Sequence, residues 1–161
     1  MEFRWVKRNG KLELKVRRVY LITKEVDSNK EFKLAVIGSR DILNKEFIYS
    51  ELDKLLELTK IDLIVSGGAP GPDKIGVEWA KERNIPYKEY FANWKDMSEP
   101  CVVKYNAFGA YNALAGFKRN EDIINNCDSV VAFWDGKSKG TKNSLDLARK
   151  QNKPIKIIKH E

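Results

Sequence analysis

Residues 61–80 read IDLIVSGGAPGPDKIGVEWA. An apolar run, Ile61 to Val65, stops at Ser66 and the pair Gly67-Gly68. Two prolines and a third glycine follow, and from Asp73 to Arg83 the pattern reads as a helix. A short apolar run bounded by turn formers is the mark of a strand buried on both faces. The unit is therefore strand, tight turn, helix. A bare turn does not need three glycines. Glycine lets the backbone come close to a ligand, and the N–H groups that open a helix favour an anion.

The same rhythm extends in both directions. Leu34 to Arg40 (LAVIGSR) is a second apolar run ending in a glycine loop. Apolar residues at Phe47, Ile48, Leu52, Leu55 and Leu56 have helical spacing over Glu46–Thr59. Ile85–Ala92 reads as a third strand, Ser129–Gly136 as a fourth and Pro154–Lys159 as the last, with helices over Ala113–Asn126 and Thr141–Gln151. Asn93–Asn112 is aromatic-rich and is expected to be irregular. Near-continuous apolar strands alternating with helices predict an α/β fold: a Rossmann-like, doubly wound parallel sheet of about five strands. In such sheets ligands bind at the carboxyl ends of the strands, where strand order reverses.

The front of the chain differs. Residues 1–33 hold ten Lys/Arg against five Asp/Glu, so they carry +5 of the total net charge of +7. Alternation around Asn9-Gly10 predicts a β-hairpin with a longer second strand, because Asn-Gly suits a type I′ turn. Residues 1–32 are taken as a basic hairpin and linker, and residues 33–161 as the main domain. No apolar run spans a bilayer and the N-terminus lacks a signal core, so a cytoplasmic protein without membrane contact is expected. Cys101 and Cys127 fit no metal spacing and are expected as free thiols. The single histidine is His160, which argues against histidine catalysis.

Three loops are candidates for a ligand. In GGAPGPDK, Gly67, Gly68 and Gly71 form a potential anion cradle, and Asp73 is either an N-cap or a contact to a ribose or base. In GKSKGTKNSLDLA, Gly140-Thr141 opens a helix with Lys137, Lys139 and Lys142 nearby; Thr141 is either a phosphate ligand or an N-cap. In AGFKRNEDII, Gly116 precedes Arg119, which is either a surface residue or a grip on phosphate. The turn at 67–74 matches neither G-x-G-x-x-G nor the P-loop pattern.

VIGSRDI, IVSGGAPGPDKIGVEWAKERNIP, the separate Trp94, and AGFKRNEDIINNCDSVVAFWDGKSKGTKNSLDLARKQNKPI together resemble the YspA-type, cpYpsA-related SLOG family over about residues 34–158. Its superfamily includes the LONELY GUY phosphoribohydrolases and the DNA-processing protein A. The resemblance implies a Rossmann-like fold that binds a nucleotide or a nucleotide-derived signal, often in phage and bacterial conflict. It implicates Gly38, Ser39, Arg40, Gly67, Gly68, Ala69, Gly71 and Asp73. It also implicates Trp94, Ala115, Gly116, Arg119, Asn120, Asp135, Gly140 and Thr141. Relatives are commonly oligomeric, so a homo-oligomer is expected. Two departures stand out. A long segment separates Trp94 from Gly116, where the family has a short link. The hydrolase signature PGGxGT-x-x-E is replaced by DGKSKGTKNSLD.

Three functions follow. The first is binding of a nucleotide-derived small molecule, with Trp94 either stacking on a base or packed in the core. The second is N-glycosidic hydrolysis, with Asp73, Asp135 and Asp146 as candidate carboxylates and Arg119 as a further catalytic candidate. The third is nucleic-acid binding through the basic hairpin, against the alternative that its charges form a solvated face. No cofactor is required; magnesium is expected only alongside a polyphosphate ligand.

Overall fold

A computed structural model describes residues 31–160 and the backbone of residues 4–8 and 11–15. Strands β1 (Arg4–Arg8) and β2 (Lys11–Lys15) pair antiparallel, with Arg8 opposite Lys11. The Asn9-Gly10 turn and any extension of the second strand lie outside the described residues.

The main domain runs β3 (Lys33–Gly38), α1 (Lys45–Leu58), β4 (Leu63–Ser66), α2 (Pro72–Glu82) and β5 (Tyr87–Glu89). Then come β6 (Val103–Asn106), β7 (Gly109–Asn112), α3 (Ala115–Asn125), β8 (Ser129–Trp134), α4 (Lys139–Lys150) and β9 (Ile155–Lys159). The predicted doubly wound sheet is present: five parallel strands in the order β5-β4-β3-β8-β9. From β3 the chain winds outward through β4 to β5, then returns to place β8 on the other side of β3.

Side-chain alternation divides the core between the two faces. Leu34 and Val36 of β3 join Val131 and Phe133 of β8 under α1 and α2, around the fully buried Trp79. Ala35 and Ile37 join Val130 and Ala132 against Ile123, Leu145 and Ala148 of α3 and α4. The buried indole of Trp79 needs an acceptor. Its Nε1–H donates to Asp53 Oδ1 at 2.9 Å, and Arg83 Nε donates to the same oxygen at 2.7 Å. The two helices on that face are thus joined by a shared carboxylate.

Two expectations need correction, and two capping alternatives fall away. The third strand is shorter than Ile85–Ala92: only Tyr87–Glu89 pair, at the sheet edge, where β4 is the single neighbour. The segment 93–112 is not wholly irregular, because β6 and β7 form an antiparallel hairpin inside it. The helix caps are also different. Gly71, not Asp73, caps α2, with Pro72 at its first position. Ser138, not Thr141, caps α4, where its hydroxyl accepts from Thr141 N–H at 3.4 Å.

Candidate functional site

The reversal in strand order falls between β3 and β8, and the carboxyl ends of these strands open on a cavity of about 210 Å³. This is the position that parallel-sheet geometry favours for a ligand.

Gly38 ends β3 and lines the cavity. A Cβ there would lie 2.4 Å from the Phe133 carbonyl oxygen and 2.5 Å from Pro72 Cγ. Gly71 has φ +86°, and a Cβ on it would meet the Ser39 and Arg40 carbonyls at 2.9 Å. Both glycines therefore let loop backbones touch. Ser39 is buried and fastens two strand ends: its N–H donates to Phe133 O at 2.9 Å, and its Oγ accepts from Asp135 N–H at 3.1 Å.

Gly67 sits between opposite charges. Its N–H donates to Asp73 Oδ2 at 3.0 Å, and its carbonyl accepts from Arg119 Nη1 at 2.6 Å. This N–H is thus engaged by a carboxylate within the protein. Gly68, with φ +69°, turns toward Phe91 and Glu89 and does not line the cavity; Ala69 does. The expected three-glycine cradle is therefore replaced by a clamped turn. Burial pushes the Asp73 carboxyl up to about 6, against the pull of Arg119 and of backbone N–H groups at Gly67, Ala69 and Gly38.

Arg119 reaches the cavity from the first half of α3. Burial pushes its pKa down, Asp73 pulls it up, and the nearby Arg40 pushes it down again. Arg40 is exposed, lines the same cavity and makes no ion pair among the described residues. Two guanidinium groups thus face one cavity with one buried carboxyl to offset them.

The opposite wall is the start of α4. Asn120 is buried, and its Nδ2 donates to Gly140 O at 3.3 Å and Asn143 Oδ1 at 3.1 Å. Gly140 and the buried Thr141 line the cavity, and a Cβ on Gly140 would meet nothing within 4 Å. The neighbouring lysines do not line it; Lys142 pairs with Asp146 at 2.8 Å on the exposed face. Asp135 also lies off the cavity. Its Oδ1 accepts from Lys137 and Ser138 N–H, each at 2.8 Å, and the Ser138 and Lys137 N–H groups hold its carboxyl below the usual range. Asp146 is tied to Lys142 and Arg149, which leaves Asp73 as the only cavity-lining carboxylate among the described residues.

Trp94 is not a core residue. It is 42% exposed, lines the cavity and packs edge-on against Tyr111 at 6.3 Å. Gly116 lies beneath the indole, where a Cβ would stand 3.5 Å from Trp94 Cη2. Ala115 is buried at the start of α3. Sequence reasoning missed Ser138, Ser144 and Phe117, which also line the cavity. Ser144 lies one helical turn beyond Thr141 on α4, so the i, i+3 spacing carried that signal.

Cys101 and Cys127 are both free thiols, as expected, and burial pushes the Cys127 thiol up to about 11. Among the described residues no three His, Cys, Asp or Glu side chains gather in a metal-binding group. No described helix is long and apolar enough to cross a membrane.

Comparison with solved structures supports the fold. DNA processing protein A from Streptococcus pneumoniae superposes with a TM-score of 0.62 at 21% identity, covering 84% of this chain and 53% of that one. DNA processing protein A from Helicobacter pylori, solved for its single-stranded DNA binding mode, gives 0.60 at 23% identity, covering 83% and 67%. The chain thus spans about half the length of the first of these proteins. No curated protein sequence matches it. Residues 32–96, from the entry to β3 to just past Trp94, match the YspA, cpYpsA-related SLOG family, the family that the sequence motifs resemble.

Proposed function

We propose that the cavity between β3 and β8 binds a small anionic ligand of the nucleotide class. One observation carries this reading: Arg40 and Arg119 face the same cavity, and Arg40 has no ion-pair partner among the described residues. Like charges placed together raise the energy of the empty protein, and an anion between them relieves it. The first turn of α4 adds helix-end N–H groups on the opposite wall. Trp94 supplies an aromatic face at the rim.

Binding is favoured over hydrolysis by what the carboxylates already do. Asp73 is engaged with Gly67, and Asp135 with its own turn. Isothermal titration calorimetry with inorganic phosphate, mononucleotides and ADP-ribose tests the reading. Arg40→Ala is expected to weaken nucleotide binding roughly 10- to 100-fold, the range for a charge-assisted hydrogen bond. No heat with any of these ligands sinks it.

A second reading takes the anion to be a phosphate of single-stranded DNA. It is favoured by the fold shared with the Helicobacter pylori protein. A DNA affinity that falls steeply with added salt, and that mononucleotides compete away, would support it.

A further inference from the structure

The segment that separates Trp94 from α3 builds a second depression beside the first. This groove of about 420 Å³ is lined by Trp94, Lys95, Asn106, Phe108 and Tyr111. Trp94 is the shared wall, because it lines the anion cavity as well. Phe108, in the loop between β6 and β7, is 87% exposed. An aromatic ring held in solvent contributes little to folding, but it suits a stacking partner.

The groove is fastened in place. Lys95 Nζ donates to the carbonyls of Phe108 at 3.1 Å and Ala110 at 2.9 Å. The Trp94 carbonyl accepts from Asn112 N–H at 2.7 Å. The polar groups left over are weighted toward donors. Asn106 Oδ1 already accepts from Phe108 N–H at 2.8 Å, so its amide nitrogen and one oxygen lone pair remain. Lys95 keeps one N–H beyond the two it gives to the Phe108 and Ala110 carbonyls, and the Tyr111 hydroxyl can donate or accept.

We propose that this groove holds the ring of the ligand whose anionic group enters the neighbouring cavity, a proposal that rests on the anion-site reading above. The ring is planar, stacks on Phe108 and Trp94, and turns an edge of acceptors toward Lys95 and Asn106. Guanine presents such an edge in O6 and N7, whereas adenine places an amino donor beside N7. Space is sufficient, since a cavity of roughly 150 Å³ already takes benzene.

Calorimetry on the full chain with ribose 5-phosphate, GMP and AMP tests this, using wild type and Phe108→Ala. GMP is expected to bind at least about tenfold more tightly than ribose 5-phosphate, and more tightly than AMP. Phe108→Ala should remove about tenfold of the GMP affinity and leave ribose 5-phosphate unchanged. Equal binding of GMP and ribose 5-phosphate, or indifference to Phe108→Ala, overturns the ring subsite. AMP binding as tightly as GMP overturns the acceptor-edge assignment. A change in sedimentation of Phe108→Ala without loss of GMP affinity makes the hairpin a contact between copies, and also overturns it. Silence from all three ligands instead removes the anion site on which the proposal stands.

Discussion

At Gly67 two charged side chains take hold of one peptide unit, Asp73 through its N–H and Arg119 through its carbonyl. The Asp73 carboxyl is buried and its folded pKa is about 6, above the ordinary 3.8. A raised acid pKa means that the protonated form suits the fold better. The associated stability is fully present below about pH 4 and is lost as pH rises through 6. Asp73→Asn cannot ionise but keeps an acceptor for Gly67 N–H. Its stability relative to wild type should therefore climb between pH 4 and pH 7.5, by up to about 3 kcal/mol. Thermal melts at a series of pH values check this, and a pH-independent difference contradicts it. Arg119→Met acts in the opposite sense. Without the guanidinium the carboxyl rises further, so this variant should lose more stability at pH 7.5 than at pH 4.5. The sequence displayed every residue of this clamp, but not its direction. A glycine in a chain shows that something comes close. That Gly67 and Gly71 admit protein atoms, while Gly38 both touches Pro72 and lines the cavity, is decided by residues far away in sequence.

Among the elements, the hairpin β6–β7 depends on one buried side chain. Asn112 uses its whole amide: Oδ1 accepts from Val102 N–H at 3.1 Å and Leu114 N–H at 2.9 Å, and Nδ2 donates to Asp96 O at 3.0 Å and Pro100 O at 3.4 Å. Its removal would strand several polar groups with no partner in reach, each at about 1–3 kcal/mol unless water enters. Asn112→Ala should therefore loosen residues 96–114 before it unfolds the domain, read as faster amide exchange and proteolysis confined to that segment. Uniform loss of protection across the sheet would argue instead that the hairpin belongs to the global fold. Asp53→Ala provides a contrast from the opposite layer. It leaves the indole N–H of the fully buried Trp79 without its acceptor, so a global loss of about 1–3 kcal/mol is expected in denaturant titration. The helices and inner strands were legible because burial on a fixed face leaves a period in the sequence. The hairpin was not. Its strands are four residues each and β6 is exposed throughout, so burial leaves no period, and the one signal present, Asn106 and the positive-φ Gly109 flanking Ala107-Phe108, is a turn mark that sequence reasoning passed over.

Across the whole molecule, the alternation of strands and helices predicts a parallel sheet, and right-handed crossovers then narrow the order of strands. What alternation does not supply is the distance between loops. The crossover that sets β8 beside β3 brings Arg40 and Gly140, a hundred residues apart, to one cavity. The consequence is a separation of stability from binding. Arg40 is exposed and makes no ion pair among the described residues, so Arg40→Ala should leave the ligand-free melting temperature unchanged or slightly raised, by no more than about 0.5 kcal/mol, as the repulsion on Arg119 is relieved. A ligand that binds only the folded chain stabilises it by about 2.7 kcal/mol when present at a hundred times its dissociation constant. Addition of GMP should therefore raise the melting temperature of wild type by several degrees, roughly 4–8 °C for each 2 kcal/mol or so in a domain of this size. At the same GMP concentration Arg40→Ala should show a much smaller rise, and added salt should shrink the wild-type rise as it screens the paired cations. A wild-type rise that Arg40→Ala preserves would place the nucleotide somewhere other than between β3 and β8.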